Sequence, residues 1–114
     1  MTSTSAATGY IKKSVDLREA GRVDEALLAA KRAISLDEED PNAWWQLAQA
    51  TWERDGAAAA IPHLKKTVLL ADGFAFGWHK LGGAYKGAGM IDKAVESWEQ
   101  AVEADSDRSE SWEE

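Results

Sequence analysis

At 114 residues, 45% of them hydrophobic, the chain suffices for one compact unit with a modest core. Its formal charge of −7 argues against nucleic acid and anionic membrane surfaces as partners, because both attract Lys and Arg. The lack of cysteine excludes disulfides, thiolate nucleophiles and cysteine metal ligands, and no apolar run approaches the ~18–20 residues that span a bilayer.

Residues 1–7 have neither the basic flank nor the apolar segment of a secretory signal, so the expected compartment is cytoplasmic. Residues 1–6 are small and polar and are expected to form a loose tail. Over about 8–20, Tyr10, Ile11, Val15 and Leu17 follow helical spacing, and Gly21 supplies the stop. Asp24 is the expected N-cap of a second helix over 24–37, whose buried face is Ala26, Leu27, Ala30, Ala33 and Ile34. Asp40 followed by Pro41 opens a third helix. It carries Trp44, Leu47, Ala48 and Thr51 on one side and ends at Gly56. The fourth helix, about 58–71, has Ala58 where the second and sixth have Asp24 and Asp92, so its start is expected to fray; Pro62 falls near its first turn. Gly73 marks a turn. The fifth helix, about 75–88, shows Trp78, Leu81, Gly82 and Tyr85, and Gly89 breaks it. Asp92 is the expected cap of the sixth, with Val95, Trp98, Ala101 and Val102 as its apolar face, and Ser109 is the expected cap of a seventh.

These elements recur at one spacing. Stepping back by 34 residues takes Trp78 to Trp44 and then Tyr10, and Leu81 to Leu47. It takes Gly82 to Ala48 and then Ser14, and Ala94 to Ala60 and then Ala26; stepping forward takes Trp78 to Trp112. A constant period of this kind signals stacked repeats, because one helix pair cannot bury its apolar face alone. The pattern of aromatic, Leu, small residue, Tyr, Gly turn, Ala, bulky residue and Ala resembles the tetratricopeptide repeat family. The resemblance implies an all-α solenoid of three antiparallel helix pairs in a right-handed superhelix. Its repeats would be 7–40, 41–74 and 75–108, with 109–114 opening a fourth or a capping helix. Ser14, Ala48 and Gly82 would let paired helices approach closely. Lys13, standing where Leu47 and Leu81 stand later, suits an N-terminal end without a neighbour.

No catalytic constellation stands out, so no enzyme activity, metal or cofactor is expected. His63 and His79 share no helical face and lack zinc-site spacing. Gly82, Gly83, Gly87 and Gly89 lie in a helix and its terminator rather than after a strand, so they are no phosphate loop. What the resemblance implies instead is a non-catalytic protein-interaction module that binds a peptide or partner helix in a concave groove lined by the first helix of each pair. The matching positions are Ile11, Lys12, Val15 and Arg18; Asn42, Trp45, Gln46, Gln49 and Trp52; and Phe76, His79, Lys80, Gly83 and Lys86. Trp45, Trp52 and Phe76 are rings of the kind that dominate binding hot spots, and Lys12, Lys80 and Lys86 suit a carboxylate. Helix packing accounts for Trp45 and Trp52 equally well, and solvation accounts for the lysines. The family's members that clamp chaperone tails use Lys, Asn and Arg where this chain has Ile11, Val15, Gln46 and Phe76; only Lys80 matches, so that clamp is not expected. The alternative is a structural unit that self-assembles or forms part of a longer array. Self-association would then run through the C-terminal end near Trp98 and Val102, which Trp112 would partly cover.

Overall fold

The computed structural model describes the backbone of residues 2–113 and the side chains of residues 5–106. Six helices follow one another: α1 (Thr2–Glu19), α2 (Val23–Leu36), α3 (Pro41–Asp55), α4 (Ala57–Leu70), α5 (Ala75–Gly87) and α6 (Ile91–Glu113). No strand occurs among the described residues. The starts of α2, α4 and α6 are 34 residues apart, as are those of α3 and α5. Local chemistry fixes that spacing. At Gly21 and Gly89, both at φ 81°, the chain reverses through paired bonds: Arg22 N–H donates to Leu17 C=O and Met90 N–H to Tyr85 C=O, each at 2.8 Å. The indole N–H of Trp44 donates to Glu38 C=O at 2.8 Å, and that of Trp78 donates to Asp72 C=O at 2.7 Å. These two bonds are images of each other across one repeat, and each pins the turn that leads into its helix.

Several ends differ from the sequence expectation. Asp40 does cap α3, its carboxylate accepting from Asn42 N–H at 2.9 Å, with Pro41 behind it. Asp24 and Asp92 do not cap. They lie in the first turns of α2 and α6, because the turn at Gly21 or Gly89 delivers the chain into helix two residues later. A carboxylate there still suits the positive end of the helix dipole. α4 follows Gly56 directly with no side-chain cap, as expected. Pro62 is its sixth residue rather than a first-turn residue; both it and Ala58, whose carbonyl it leaves without a helical donor, are exposed. α1 starts at Thr2, so helix replaces the loose tail expected over 1–6, and Ala7 is fully buried. α6 runs on through residue 109 without the break that a separate seventh helix from Ser109 requires. The side chain of Trp112, and its expected reach towards Trp98, lie outside the described residues.

Each helix packs on the next, and α1 also meets α3, whereas no comparable contact joins α2 to α4. These contacts, together with that of Lys80 on α5 against Trp52 on α3, set the first helices of the pairs along an inner row and the second helices along an outer one. The core is split between two seams. Ala26, Leu27, Ala30, Leu47 and Ala50 join α2 to α3. Ala48, Ala60, Leu64, Val68, Leu81, Ala84, Tyr85 and Ala94 run from α3 to α6. Apolar burial at these seams is the main driving term, and no pair has it without its neighbour.

In the third pair the small residue of the first helix is matched to a bulky one on the second. Gly82 meets Trp98 there; one and two repeats back the same two positions hold Ala48 and Leu64, then Ser14 and Ala30. Gly82 has no side chain because the Trp98 ring occupies that space. A Cβ there would collide with Nε1 and Cδ1 of Trp98 and lie 2.9 Å from its Cε2. Ser14 is fully buried and uses its hydroxyl, donating to Ala26 C=O at 2.9 Å.

Candidate functional site

The inner row brings the expected groove residues together in three groups. Between α1 and α3, Arg18 donates to Glu53 at 3.2 Å and to the Gln46 side-chain carbonyl at 3.3 Å. Gln46 is buried, so its amide ties α1 to α3 and is not offered to a ligand. Between α3 and α5, the Lys80 ammonium lies 4.4 Å from the centre of the Trp52 ring, close enough for a cation–π contact. A Cβ at Gly83 would stand 3.7 Å from the edge of that ring, in ordinary van der Waals contact. Trp45 meets Phe74 edge to face, centroids 5.0 Å apart. Both tryptophans are partly buried and pack on the α3–α6 core, so packing and solvent exposure coexist in each ring.

The third group sits at the edge. Phe76 (70% exposed) and His79 face a cleft of about 400 Å³ shared with Trp98, Ala101, Val102 and Asp105 of α6, so they turn towards the end of the stack and away from the groove centre. Around these groups, Ile11, Val15 and Gln49 are half-buried, and Lys12, Asn42 and Lys86 are exposed. α5 itself carries His79, Lys80 and Lys86 and no acidic residue. The inner row is thus aromatic at its centre with cations at its margins, on a chain that is acidic overall.

On the side of α3 that meets α4, Trp44 has an aromatic and a cationic neighbour that sequence reasoning did not foresee. His63 lies 6.2 Å from it, ring to ring, and Lys66 5.8 Å from its ring centre. Burial, and secondarily the charge of Lys31, lower the His63 pKa from its usual 6.5. A larger outer cleft of about 650 Å³ lies between α4 and α6, floored by Trp78, Leu81 and Tyr85 of α5. Among the described residues no group of three or more His, Cys, Asp or Glu is placed to hold a metal, and no helix is long and apolar enough to cross a membrane.

Residues 77–108 match the tetratricopeptide repeat family. No curated protein sequence matches the chain. Among solved structures, one of MamA superposes with a TM-score of 0.88 at 25% identity, over 95% of this chain and 63% of that one. The chain therefore spans under two thirds of that protein's length. The second tetratricopeptide repeat domain of Spaghetti (RPAP3), bound to the HSP90 peptide SRMEEVD, superposes at 0.80 with 16% identity, over 85% of this chain and 90% of that one. The first such domain of human RPAP3 gives 0.80 at 19% identity, over 87% and 78%.

Proposed function

We propose that the chain, which has the fold of a tetratricopeptide repeat protein, is a non-catalytic interaction module whose inner row receives a peptide or partner helix. The observation that carries this reading is the pair Trp45 and Trp52. Both rings sit on α3, Trp45 against Phe74 at the entry to α5 and Trp52 under Lys80 of α5, and both remain partly open to solvent. A ring held rigid before binding loses little freedom on binding, which is what makes aromatic hot spots effective. Two domains of the same fold are seen with an HSP90 peptide bound, which supports peptide binding as a use of this architecture.

The ligand differs from such a chaperone tail. Ile11, Val15 and Phe76 replace the polar groups of that clamp, and the Arg18 guanidinium is already engaged by Glu53 and Gln46. What remains is an apolar centre with Lys12 and Lys86 exposed at its margins. That suits a segment with large apolar side chains flanked by Asp or Glu.

The test is a synthetic peptide library screened on the intact chain. The best peptide is then titrated against Trp45→Ala/Trp52→Ala and against Lys12→Gln/Lys86→Gln, with circular dichroism on each variant. The lysine pair is exposed and leaves the fold within about 0.5 kcal/mol. The reading expects weaker binding by both variants, with helix content retained in the second. Binding that is lost only in step with helix content would assign the tryptophans to packing alone.

A further inference from the structure

α2 and α4 each bury one apolar strip under the first helix of the following pair. On α4 the strip is Ile61, Leu64 and Val68, covered by Leu81, Ala84 and Tyr85 of α5. On α2 it is Leu27, Ala30 and Ile34, covered by Leu47 and Ala50 of α3. The same strip on α6, one repeat on, is Val95, Trp98 and Val102. Among the described residues it is covered only at Trp98, which is partly buried against Gly82: Val102 is 66% exposed against 4% for its equivalent Val68, and Val95 is 44% exposed where Ile61 is partly buried. Two clefts, of about 400 and 460 Å³, meet at Trp98 and Val102. Their charged walls are Asp105, Glu99 and Glu103, with no Lys or Arg in either.

We propose that this face, separate from the inner groove, docks an amphipathic helix of a partner protein with a basic rim. The helices that cover α2 and α4 specify its apolar side. Each presents Leu, then Ala three residues later, then a third residue that fills the seam: Leu47, Ala50 and Thr51 in α3, and Leu81, Ala84 and Tyr85 in α5. The acidic wall specifies the rim, Lys or Arg on either side of that strip.

A second copy of the chain fits poorly. Its corresponding helix is α1, which has exposed Lys13 and Asp16 where α3 and α5 have Leu and Ala, and burying those charges unpaired is costly. Pairing two α6 faces would set acidic walls against each other on chains of charge −7. The chain's own residues 107–114 bring four acids, Asp107, Glu110, Glu113 and Glu114, against Arg108.

The test uses two fluorescein-labelled helical peptides carrying Leu-x-x-Ala-Tyr, one with Lys flanks and one with Glu flanks, titrated into the full chain by anisotropy. The Lys peptide should saturate and weaken as salt rises, and the Glu peptide should bind on the order of tenfold less tightly or worse. Val102→Asp should weaken the Lys peptide by about tenfold or more without changing the melt, since the position is exposed and a charge would be buried on docking. Lys12→Gln should leave it unchanged, so failure here and failure of the groove reading are told apart. Absent binding up to millimolar peptide, equal binding of the two peptides, or indifference to Val102→Asp would overturn the proposal. So would a dimer in sedimentation equilibrium that Val102→Asp abolishes, which would name a second copy as occupant. Peptide binding that appears only with Trp112→Ser would overturn it in favour of the chain's own last residues.

Discussion

Replacing Gly82 by Ala sets two opposed effects against each other. Gly in a helix interior costs about 1 kcal/mol relative to Ala, so on propensity alone Gly82→Ala stabilises α5 by that amount. The new Cβ, however, collides with Nε1 and Cδ1 of Trp98 and comes within 2.9 Å of Cε2. Three atoms of one rigid ring are struck together, so no rotation of a flexible tip relieves the clash; α5 and α6 must part or the indole must leave its seat. Overpacking of this kind costs about 1–3 kcal/mol, and a ring struck at three atoms belongs at the upper end. The net expectation is a loss of about 1–2 kcal/mol, or ~4–8 °C in Tm for a domain of this size. Urea unfolding followed by circular dichroism reads it directly. Two companions make the reasoning exact in sign. Gly9→Ala, in α1 with nothing within 4 Å of the new methyl, should stabilise by about 0.5–1 kcal/mol. Gly82→Ala combined with Trp98→Leu rebuilds the Ala48–Leu64 pair of the middle repeat and should lose about 1–2 kcal/mol less than the two changes summed. A neutral or stabilising Gly82→Ala, or strict additivity of the pair, would refute the matching of glycine to ring.

Trp78→Ala removes a ring from the α4–α5 seam together with its bond to Asp72 C=O, and should cost about 3–5 kcal/mol in urea unfolding. Asp40→Ala should cost about 1 kcal/mol by losing the α3 cap, whereas Asp24→Ala, a first-turn residue with an exposed ion pair to Arg54, should cost about 0.3–0.5 kcal/mol. For His63, the folded state binds its proton more weakly than the unfolded one because the ring is buried. Its stability contribution is therefore complete above the ordinary 6.5 and is lost as pH falls through 6.5 to the lower folded value, below which it levels off. Melts of the chain and of His63→Gln on either side of that pH should show the step in the first and a smaller one in the second.

The helix count, the repeat spacing and the core positions of α2, α3 and α5 were legible because packing repeats them: Leu47 and Leu81 can be seen to mean the same thing. The caps of α2 and α6 were not, because Asp24 and Asp92 look like N-caps until the turn at Gly21 or Gly89 is known to start the helix one residue earlier. Gln46 read as a groove residue because one side of α3 does face the inner row; its side-chain carbonyl is taken by Arg18, 28 residues away, and no local pattern links them. Phe76 and His79 read the same way, and the cleft they share with Trp98 of α6 is not visible from any pattern within α5. Trp45 and Trp52 had two meanings in the sequence and keep two in the structure, since a ring packed on the next helix by one edge still shows the other to solvent.

The series Ser14–Ala30, Ala48–Leu64 and Gly82–Trp98 explains why repeats that share a period are not interchangeable. A repeat family tolerates any small residue at the first position only while the second helix supplies the complementary bulk, so the pair, not the residue, is the unit that packing constrains. In the first pair the small residue is Ser14, whose hydroxyl can be buried because Ala26 C=O accepts from it. In the third pair the ring fills everything and even its own indole N–H is left buried without a partner. That orphaned group costs free energy which an aliphatic side chain would not incur. Its presence at the α6 strip fits a position whose ring is needed for surface as well as for packing: the face of Trp98 turned from Gly82 forms the floor where the two open clefts meet.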